Sequence, residues 1–594
     1  MQSNIADSAQ AAYSFYRETK DSLSDRGGVS TLTFDELNRL YNIMLRAGRD
    51  DAFAKALDVC EASLEKELPL ADRIDKLLSE YSVIHGVDIR GELYEIKGAE
   101  GTIYFKAETD RDAHAYRLGD SITFHITVRD KQSTQITSCD KLEYTYEIEG
   151  VDERFTGVAD GRLGTLTVTI PSERILSSSF VKNGESKGIL IRLSVSAVSV
   201  EAQEKFLGGA VVDMHKLAVD AKKPEDFDEY WRKNLDACFR VSPIDPVLTP
   251  YEKKGVVVSD VRRDDGTFSR ERGKLITEEN YFHANKVDAQ KLAIYHAKGR
   301  NLDITEATLD EYDVYEIYLK SPGPCPSSLV LSIPKAAQKN AKVFMAFPGY
   351  GAHAPNIYVA SNAVSFMVSH HGYWVDASNE ELYTDLNRGE NPILGNYGKA
   401  NGKPNSNYDD PYDCYLLYLL LRDFQALRFA YELPRGTLGT HFDGVLREIY
   451  SSLLRAWNGK IELSGWSMGG YQTLCVAALA AKTGIPLTFV RSVIPGFCNL
   501  SGHAVGGRFD NVFGIKYDKA MPYLDAAVLA EYVDSYVEIP RCGLGDYTCP
   551  PAGILAAYNA MRCKKKINIY QNATHGYVPS DTCIFTCEED PQGK

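Results

Sequence analysis

The chain has 594 residues and a formal net charge of −15. One hydrophobic core does not keep growing to this length, so about two to four domains are expected. The acidic balance gives no reason to expect nucleic-acid binding, and no apolar run is long enough to predict a membrane-spanning helix. The first residues lack the basic and apolar regions of a signal peptide, which predicts a cytoplasmic protein.

The predicted elements fall into three regions. Residues 1–96 show helical patterning, with one helix predicted to begin near Thr33 and another near Ala71. Residues 97–220 change to short alternating strands separated by turns, which predicts a β-sandwich of the immunoglobulin-like type. This second region could bind glycan, act as a spacer or pack against the rest of the protein, and packing is the simplest of the three.

Residues 221–594 form the third region, where apolar strand-like runs are followed by helical runs. A charged stretch over residues 253–308 interrupts this pattern, and we expect a surface insertion that serves as a lid or as an oligomer contact. A second long loop, residues 387–413, is rich in Asn, Gly, Pro and Tyr and is expected to build a wall of a ligand pocket.

The most specific motif of the chain lies in this third region. A short apolar run leads into Gly465-Trp466-Ser467-Met468-Gly469, and a helix-forming run follows. Gly-x-Ser-x-Gly between a strand and a helix is typical of a nucleophile elbow, which raises a serine hydroxyl at a helix N-terminus. The same letters also occur in ordinary glycine turns, but the flanking strand and helix favour Ser467 as a nucleophile.

An elbow serine needs an acid and a base at the ends of later strands. Asp546 follows a predicted strand at residues 536–545, and His575 lies in the loop after a predicted strand at residues 566–570. A single aspartate at a strand end is often a helix cap, and a single loop histidine is usually solvated. Their order after Ser467, each at a strand end, nevertheless predicts a Ser-Asp-His triad.

The triad also needs an oxyanion hole, built from two main-chain N–H groups. One belongs to the residue after the nucleophile, and the other to the loop after an earlier strand of the sheet. The apolar run at residues 341–347 ends in such a loop, so the amides of Met468 and Tyr350 are predicted donors. The close pair Cys583 and Cys587 has no second pair or histidine cluster nearby, so no metal and no cofactor is predicted.

Residues 222–594 resemble the acetyl xylan esterase and cephalosporin-C deacetylase family of α/β hydrolases. The segments that carry the resemblance are residues 223–231, 349–351, 465–470, 546–551 with 556–559, and 574–576. It implies an α/β hydrolase fold with a mostly parallel sheet flanked by helices, after the helical region and the β-sandwich. It also implies a metal-free carboxylesterase that takes acetyl groups from acetylated carbohydrates, such as xylo-oligosaccharides, or from related small esters.

The resemblance implies a role for each predicted site residue: Ser467 as the nucleophile, Asp546 as the acid, His575 as the base, and the amides of Tyr350 and Met468 as oxyanion donors. The chain departs from the family pattern at Met468, where the family commonly has glutamine. Pro348 and Gly349 likewise stand where a histidine is common. These departures concern the pocket wall and therefore the substrate.

Two other functions are compatible with these motifs. A serine peptidase of the prolyl-oligopeptidase type shares the fold, but such enzymes usually carry a propeller, and the first 220 residues show no blade-length repeat. A non-catalytic carbohydrate-binding or scaffold protein could keep the fold, although the intact triad argues against it. A homo-oligomer is compatible with the sequence, whereas nucleic-acid and membrane partners are not expected.

Overall fold

The computed structural model describes most of the chain from residue 103 onwards. The described residues are 103–130, 134–198, 205–244, 251–253, 256–262, 268–272, 282–297, 304–322, 326–350, 356–369, 410–412, 414–439, 442, 444–509, 518–579 and 582–591. The predicted helical region at residues 1–96 lies outside them, and so does almost all of the predicted pocket-wall loop at residues 387–413. The chain forms two compact units.

The first unit extends to Lys216 and includes two later segments, Cys542–Tyr547 and Asn568–Thr586. Its strands are β1 Ile103–Thr109, β2 Ile122–Asp130, β3 Lys141–Ile148, β4 Phe155–Asp160, β5 Thr165–Ile170, β6 Val181–Lys182, β7 Glu185–Ser186, β8 Ile189–Val198 and β9 Lys205–Val212, with a helix at Ser172–Leu176 and a 3₁₀ turn at Met214–Lys216. Strands β1, β2 and β5 form one antiparallel sheet, and β4, β3, β8 and β9 form another in that order.

These two sheets share one apolar core. In β5, exposed and buried residues alternate strictly, as expected for a strand with one face against a core. Phe124 of β2, Leu142 of β3 and Ile191 of β8 belong to the same buried cluster. The short alternating strands expected from the sequence are therefore present, while the immunoglobulin-like type stays a prediction. We call residues 103–216 the two-sheet domain.

The second unit comprises Leu217–Arg541, Thr548–Ile567 and Cys587–Lys594. The later strands of the chain are β10 Tyr251–Lys253, β11 Val256–Arg262, β12 Phe268–Arg272, β13 His283–Lys286, β14 Tyr312–Leu319, β15 Ser327–Pro334, β16 Ala341–Phe347, β17 Ala363–Ser369, β18 Trp457–Trp466, β19 Phe489–Val493, β20 Val537–Gly543, β21 Lys565–Tyr570 and β22 Ile584–Glu589. Its helices are Phe227–Arg240, Ala289–Ala297, Glu306–Glu311, Tyr415–Glu432, Gly444–Ala456, Met468–Thr483, Met521–Leu524, Ala526–Leu529 and Pro551–Ala560, with single turns at Leu433–Arg435, Gly502–Gly506 and Ala530–Tyr532.

A ten-stranded mixed sheet has the order β13-β14-β15-β17-β16-β18-β19-β20-β21-β22. Strands β13 to β15 and β17 pair antiparallel, whereas β17, β16, β18, β19 and β20 are joined by parallel pairings. Parallel neighbours need long crossovers, and helices such as Met468–Thr483 supply them. The predicted combination of strands and helices is confirmed, but the sheet is mixed rather than mostly parallel, because β13, β14, β15 and β17 pair antiparallel.

The stretch at residues 253–308 holds regular structure where it is described. Strands β10, β11 and β12 form a separate antiparallel sheet, and β13 adds to the edge of the large sheet beside β14. Its role as a lid or as an oligomer contact stays a prediction. No helix in the described part of the chain is both long and apolar enough to cross a lipid bilayer.

A buried ion pair fixes the segment that opens the second unit. The Asp220 carboxylate lies 3.1 Å from Arg508 Nε, and both side chains are less than a tenth exposed. Asn499 donates from Nδ2 to the same carboxylate at 2.7 Å and accepts from the Asp220 N–H at 3.0 Å. Because a buried charge must be paired and hydrogen-bonded, this network constrains the sequence at all three positions.

We expect Asp220→Asn to lower the free energy of unfolding by about 3–5 kcal/mol, because it leaves the buried Arg508 guanidinium without its carboxylate. Urea unfolding at one pH measures the change. The matched control is Asp228→Asn, which breaks an ion pair with Lys482 in which the aspartate is 70% exposed. That exposed pair should contribute no more than about 1 kcal/mol. Equal losses from the two variants would contradict the account.

Candidate active site

The sheet presents Ser467 at a sharp turn between a strand and a helix. Strand β18 ends at Trp466 and the helix Met468–Thr483 begins one residue after Ser467. Ser467 has φ +59° and ψ −113°, a backbone conformation that side-chain-bearing residues rarely adopt. Holding one residue there costs on the order of 1–3 kcal/mol, so the surrounding packing must enforce it.

Two glycines make this turn sterically possible. A Cβ at Gly465 would overlap the Gly469 carbonyl, and a Cβ at Gly469 would overlap the carbonyl of Phe347 at the end of β16. Main chain therefore packs directly on main chain at the elbow, as the sequence motif predicted. The two positions do not tolerate alanine without a backbone shift.

Hydrogen bonds on both sides of Ser467 hold its backbone. Its N–H donates to the Val493 carbonyl at 3.0 Å, and its own carbonyl accepts from the Gly496 N–H at 2.8 Å. The residue is only 5% exposed. Its Oγ lies 4.0 Å from the Cys549 thiol, a neighbour that the sequence analysis did not assign to the site. The available signal was position, because Cys549 lies three residues after Asp546.

The predicted oxyanion loop begins beside the elbow. Strands β16 and β18 pair in parallel, with Phe347 opposite Gly465, so the two strands end at the same edge of the sheet. A Cβ at Gly349 would lie 2.8 Å from the Trp466 ring, which places the start of the loop against the elbow. Tyr350 follows directly in this loop, and Met468 is the first residue of the helix after the serine. The first N–H groups of a helix lack intrahelical acceptors, as an oxyanion donor must.

Asp546 and His575 are in direct contact within the first unit. The Asp546 carboxylate lies 2.9 Å from His575 Nδ1, and the aspartate is fully buried while the histidine side chain is 21% exposed. Strand β20 ends at Gly543, and a turn closed by the Asp546 N–H and the Gly543 carbonyl brings the carboxylate into place. The two side chains that the sequence analysis proposed as acid and base therefore contact each other, while their catalytic roles stay a prediction.

The contact between Asp546 and His575 determines which ring nitrogen of the histidine can act as a base. A carboxylate that accepts from Nδ1–H fixes the imidazole tautomer, and Nε2 is then the basic nitrogen. The contact of the carboxylate with Nδ1 is the arrangement of a general-base pair. The arrangement suits proton transfer by the histidine.

Asp423 and Asp525 are buried acids of the second unit that accept hydrogen bonds mainly from amide groups. Burial raises the pKa of Asp423 to about 7, and Gln472 donates to its carboxylate at 2.8 Å. Burial also raises the pKa of Asp525 to about 7, although the N–H groups of Asn499, Leu500 and Ala527 donate to it. These partners give both carboxyls a structural role.

The acetyl xylan esterase family model matches this chain over residues 516–584. The matched segment contains Asp546 and His575, but it begins after the elbow and does not include Ser467. No curated protein sequence matches the chain.

Solved structures give weaker likenesses. The acetyl xylan esterase from Paenibacillus sp. R4 is 16% identical with a TM-score of 0.36, over 62% of this chain and 94% of that one. Acetyl xylan esterase 1 from Thermoanaerobacterium sp. JW/SL YS485 is 16% identical with a TM-score of 0.35, over 61% and 92%. The acylaminoacyl peptidase from Pyrococcus horikoshii is 12% identical with a TM-score of 0.25, over 78% and 85%. Scores this low carry no conclusion about function.

The family match is therefore the comparison that bears on function. It supports the resemblance predicted from the sequence, because over residues 516–584 the chain is similar to acetyl xylan esterases, which are carboxylic ester hydrolases.

Proposed function

We propose that the protein is a serine esterase that removes acetyl groups from acetylated carbohydrates, with Ser467, His575 and Asp546 as its triad. The observation that carries the proposal is the 2.9 Å contact between the buried Asp546 carboxylate and His575 Nδ1. A solvated loop histidine would have no such partner. The strained elbow at Ser467 and the family match over residues 516–584 support the same reading.

The proposed reaction proceeds through an acyl-enzyme. His575 Nε2 takes the proton from Ser467 Oγ as that oxygen attacks the acetyl carbonyl. The protonated histidine then gives the proton to the leaving sugar oxygen, which releases the deacetylated sugar. Water, deprotonated by the same nitrogen, attacks the acetyl-serine, and the histidine returns that proton to Ser467 Oγ as acetate leaves. Asp546 stabilises the charged imidazolium in both half-reactions.

The oxyanion that forms in each half-reaction needs two donors. We assign these to the main-chain amides of Met468 and Tyr350. Support comes from the position of Met468 at the helix start and from the packing of the Gly349 loop against Trp466. A single oxyanion donor typically contributes a rate factor of about 10²–10³.

The proposed preference for acetyl groups rests on the large side chains close to Ser467. Trp466 and Met468 flank Ser467 in the sequence, and Tyr350 lies in the loop after β16. Such neighbours leave little room for a longer acyl chain, which would clash rather than gain burial. A peptidase or a non-catalytic binding protein would give a different substrate profile, so both alternatives are decided by activity measurements.

We expect Ser467→Ala to abolish the hydrolysis of p-nitrophenyl acetate, because removal of a triad nucleophile typically lowers kcat by about a million-fold. Cys549→Ala is the matched control, since it removes the other potential nucleophile of this site, 4.0 Å from Ser467 Oγ. That variant should keep most of the activity. If Ser467→Ala retained more than about a tenth of the wild-type kcat, the mechanism would be wrong.

We further expect kcat/KM to fall steadily from acetyl to butyryl to octanoyl p-nitrophenyl esters. A pocket closed to longer chains cannot gain the roughly 0.8 kcal/mol that each further buried methylene would supply. Acetylated xylo-oligosaccharides and an aminoacyl p-nitroanilide complete the panel. A preference for octanoyl esters, or faster cleavage of the anilide than of the acetyl ester, would show that the substrate class is different.

A further inference from the structure

The two-sheet domain contacts the loop that carries His575. Gln571 lies four residues before the histidine and is completely buried. Its Nε2 donates to the Gly209 carbonyl of β9 at 2.8 Å. Next to it, the buried Asn572 donates from Nδ2 to the Phe105 carbonyl of β1, also at 2.8 Å. Two adjacent side chains of the His575 loop, which we call the base loop, are thus hydrogen-bonded to the main chains of β9 and β1.

The same strand, β9, also contacts the loop that carries Asp546. A Cβ at Gly545 would overlap the Leu207 carbonyl, so the residue before the acid lies directly on the β9 backbone. A Cβ at Gly208 would lie 2.6 Å from the Gln571 carbonyl oxygen. Because glycine has no side chain, main chain contacts main chain at these positions. Three consecutive residues of β9, Leu207, Gly208 and Gly209, therefore contact the loops that carry Asp546 and His575.

A cation–π contact adds a third connection. In the β8–β9 ladder Arg192 stands directly opposite Gly209. Its guanidinium lies 4.1 Å from the centre of the Tyr547 ring, and Tyr547 is the residue after Asp546. Arginine over a tyrosine face is attractive, more so when the pair is desolvated, and Arg192 is only 8% exposed. The Arg192–Gly209 pair of this ladder therefore contacts both loops: Arg192 contacts the Asp546 loop, which we call the acid loop, and Gly209 contacts the base loop.

From these contacts we propose that strand β9, together with Arg192, positions the acid and the base of the active site. The two-sheet domain then contributes to catalysis by positioning Asp546 and His575, and it is not a separate glycan-binding module or a spacer. This inference rests on the proposed function, because it assumes that Asp546 and His575 act on Ser467. Arg192, Gly208 and Gly209 are positioning residues in this account.

Displacement of the loops that carry Asp546 and His575 should affect kcat and KM differently. A shift of β9 would displace the histidine and the aspartate relative to their target, and a misplacement of about 1 Å can cost roughly 100-fold in rate. The residues proposed to surround the acetyl group, Trp466, Met468 and Tyr350, belong to the second unit and not to the unit that contains β9. Loss of positioning should therefore lower kcat and leave KM nearly unchanged, whereas partial unfolding would lower the active fraction and the thermal stability together.

The test is Gly208→Ala, compared with Gly161→Ala. In both variants the new methyl would lie 2.6 Å from a main-chain carbonyl oxygen, that of Gln571 in the first and that of Cys139 in the second. Both residues belong to the two-sheet domain. Gly161 follows β4 and packs against Cys139, and β4 lies at the opposite edge of the sheet from β9. We expect kcat for p-nitrophenyl acetate to fall about 100-fold in Gly208→Ala, and to stay near wild type in Gly161→Ala at equal folded fraction.

A second pair keeps the proposal testable if Gly208→Ala does not fold. Arg192→Met removes the guanidinium above Tyr547, and Arg174→Met removes one that lies 4.0 Å from the Phe155 ring in the same domain. The first should lower kcat by about tenfold, and the second should not. Arg192→Lys, which restores a cation over the ring, should recover part of the loss.

Two outcomes overturn the proposal. One is a kcat within about twofold of wild type in both Gly208→Ala and Arg192→Met, and the other is an equal loss of kcat in the control variants. Ser467→Ala is measured alongside to separate this inference from the proposed function. If Ser467→Ala is active, the proposed function fails; if it is inactive while Gly208→Ala and Arg192→Met keep their kcat, only the positioning role fails.

Discussion

The site depends on one steric constraint, the direct packing of main chain on main chain around Ser467. Gly465 and Gly469 lie so close to neighbouring carbonyls that neither can carry a side chain, and Ser467 between them adopts a positive φ. The strain is balanced by the N–H bond to Val493 and by the burial of β18 and its helix. A serine held this way cannot relax into an ordinary helix cap, so its hydroxyl stays at the edge of the sheet.

The acid and the base depend on a different part of the chain. Asp546 and His575 follow β20 and β21, but the loops that carry them contact the two-sheet domain through Leu207, Gly208 and Gly209. Buried amides such as Gln571 are costly without a partner, so these contacts define one position for each loop. The chemistry of the protein therefore draws on residues that are far apart in sequence.

The sequence alone predicted the local features well. The elbow, the strand before Asp546 and the strand before His575 each leave a short pattern of glycine, alternation or apolar runs, and each was placed to within a few residues. It did not predict the contacts of Gly208 and Arg192 with the loops that carry Asp546 and His575. Pairing between distant segments leaves no periodic signal, and a glycine required by a neighbouring loop resembles a glycine in any strand. Cys549 was missed as a neighbour of Ser467, although its position three residues after Asp546 was an available signal.

The central claim is that Ser467 is a nucleophile activated by the Asp546–His575 pair. Labelling with a fluorophosphonate, followed by intact-mass and peptide mass spectrometry, tests it most directly. The account predicts one adduct per chain, located on Ser467, with a labelling rate at least about 100-fold lower in His575→Ala. A folded protein that forms no adduct on Ser467, or that labels equally fast without His575, would contradict it.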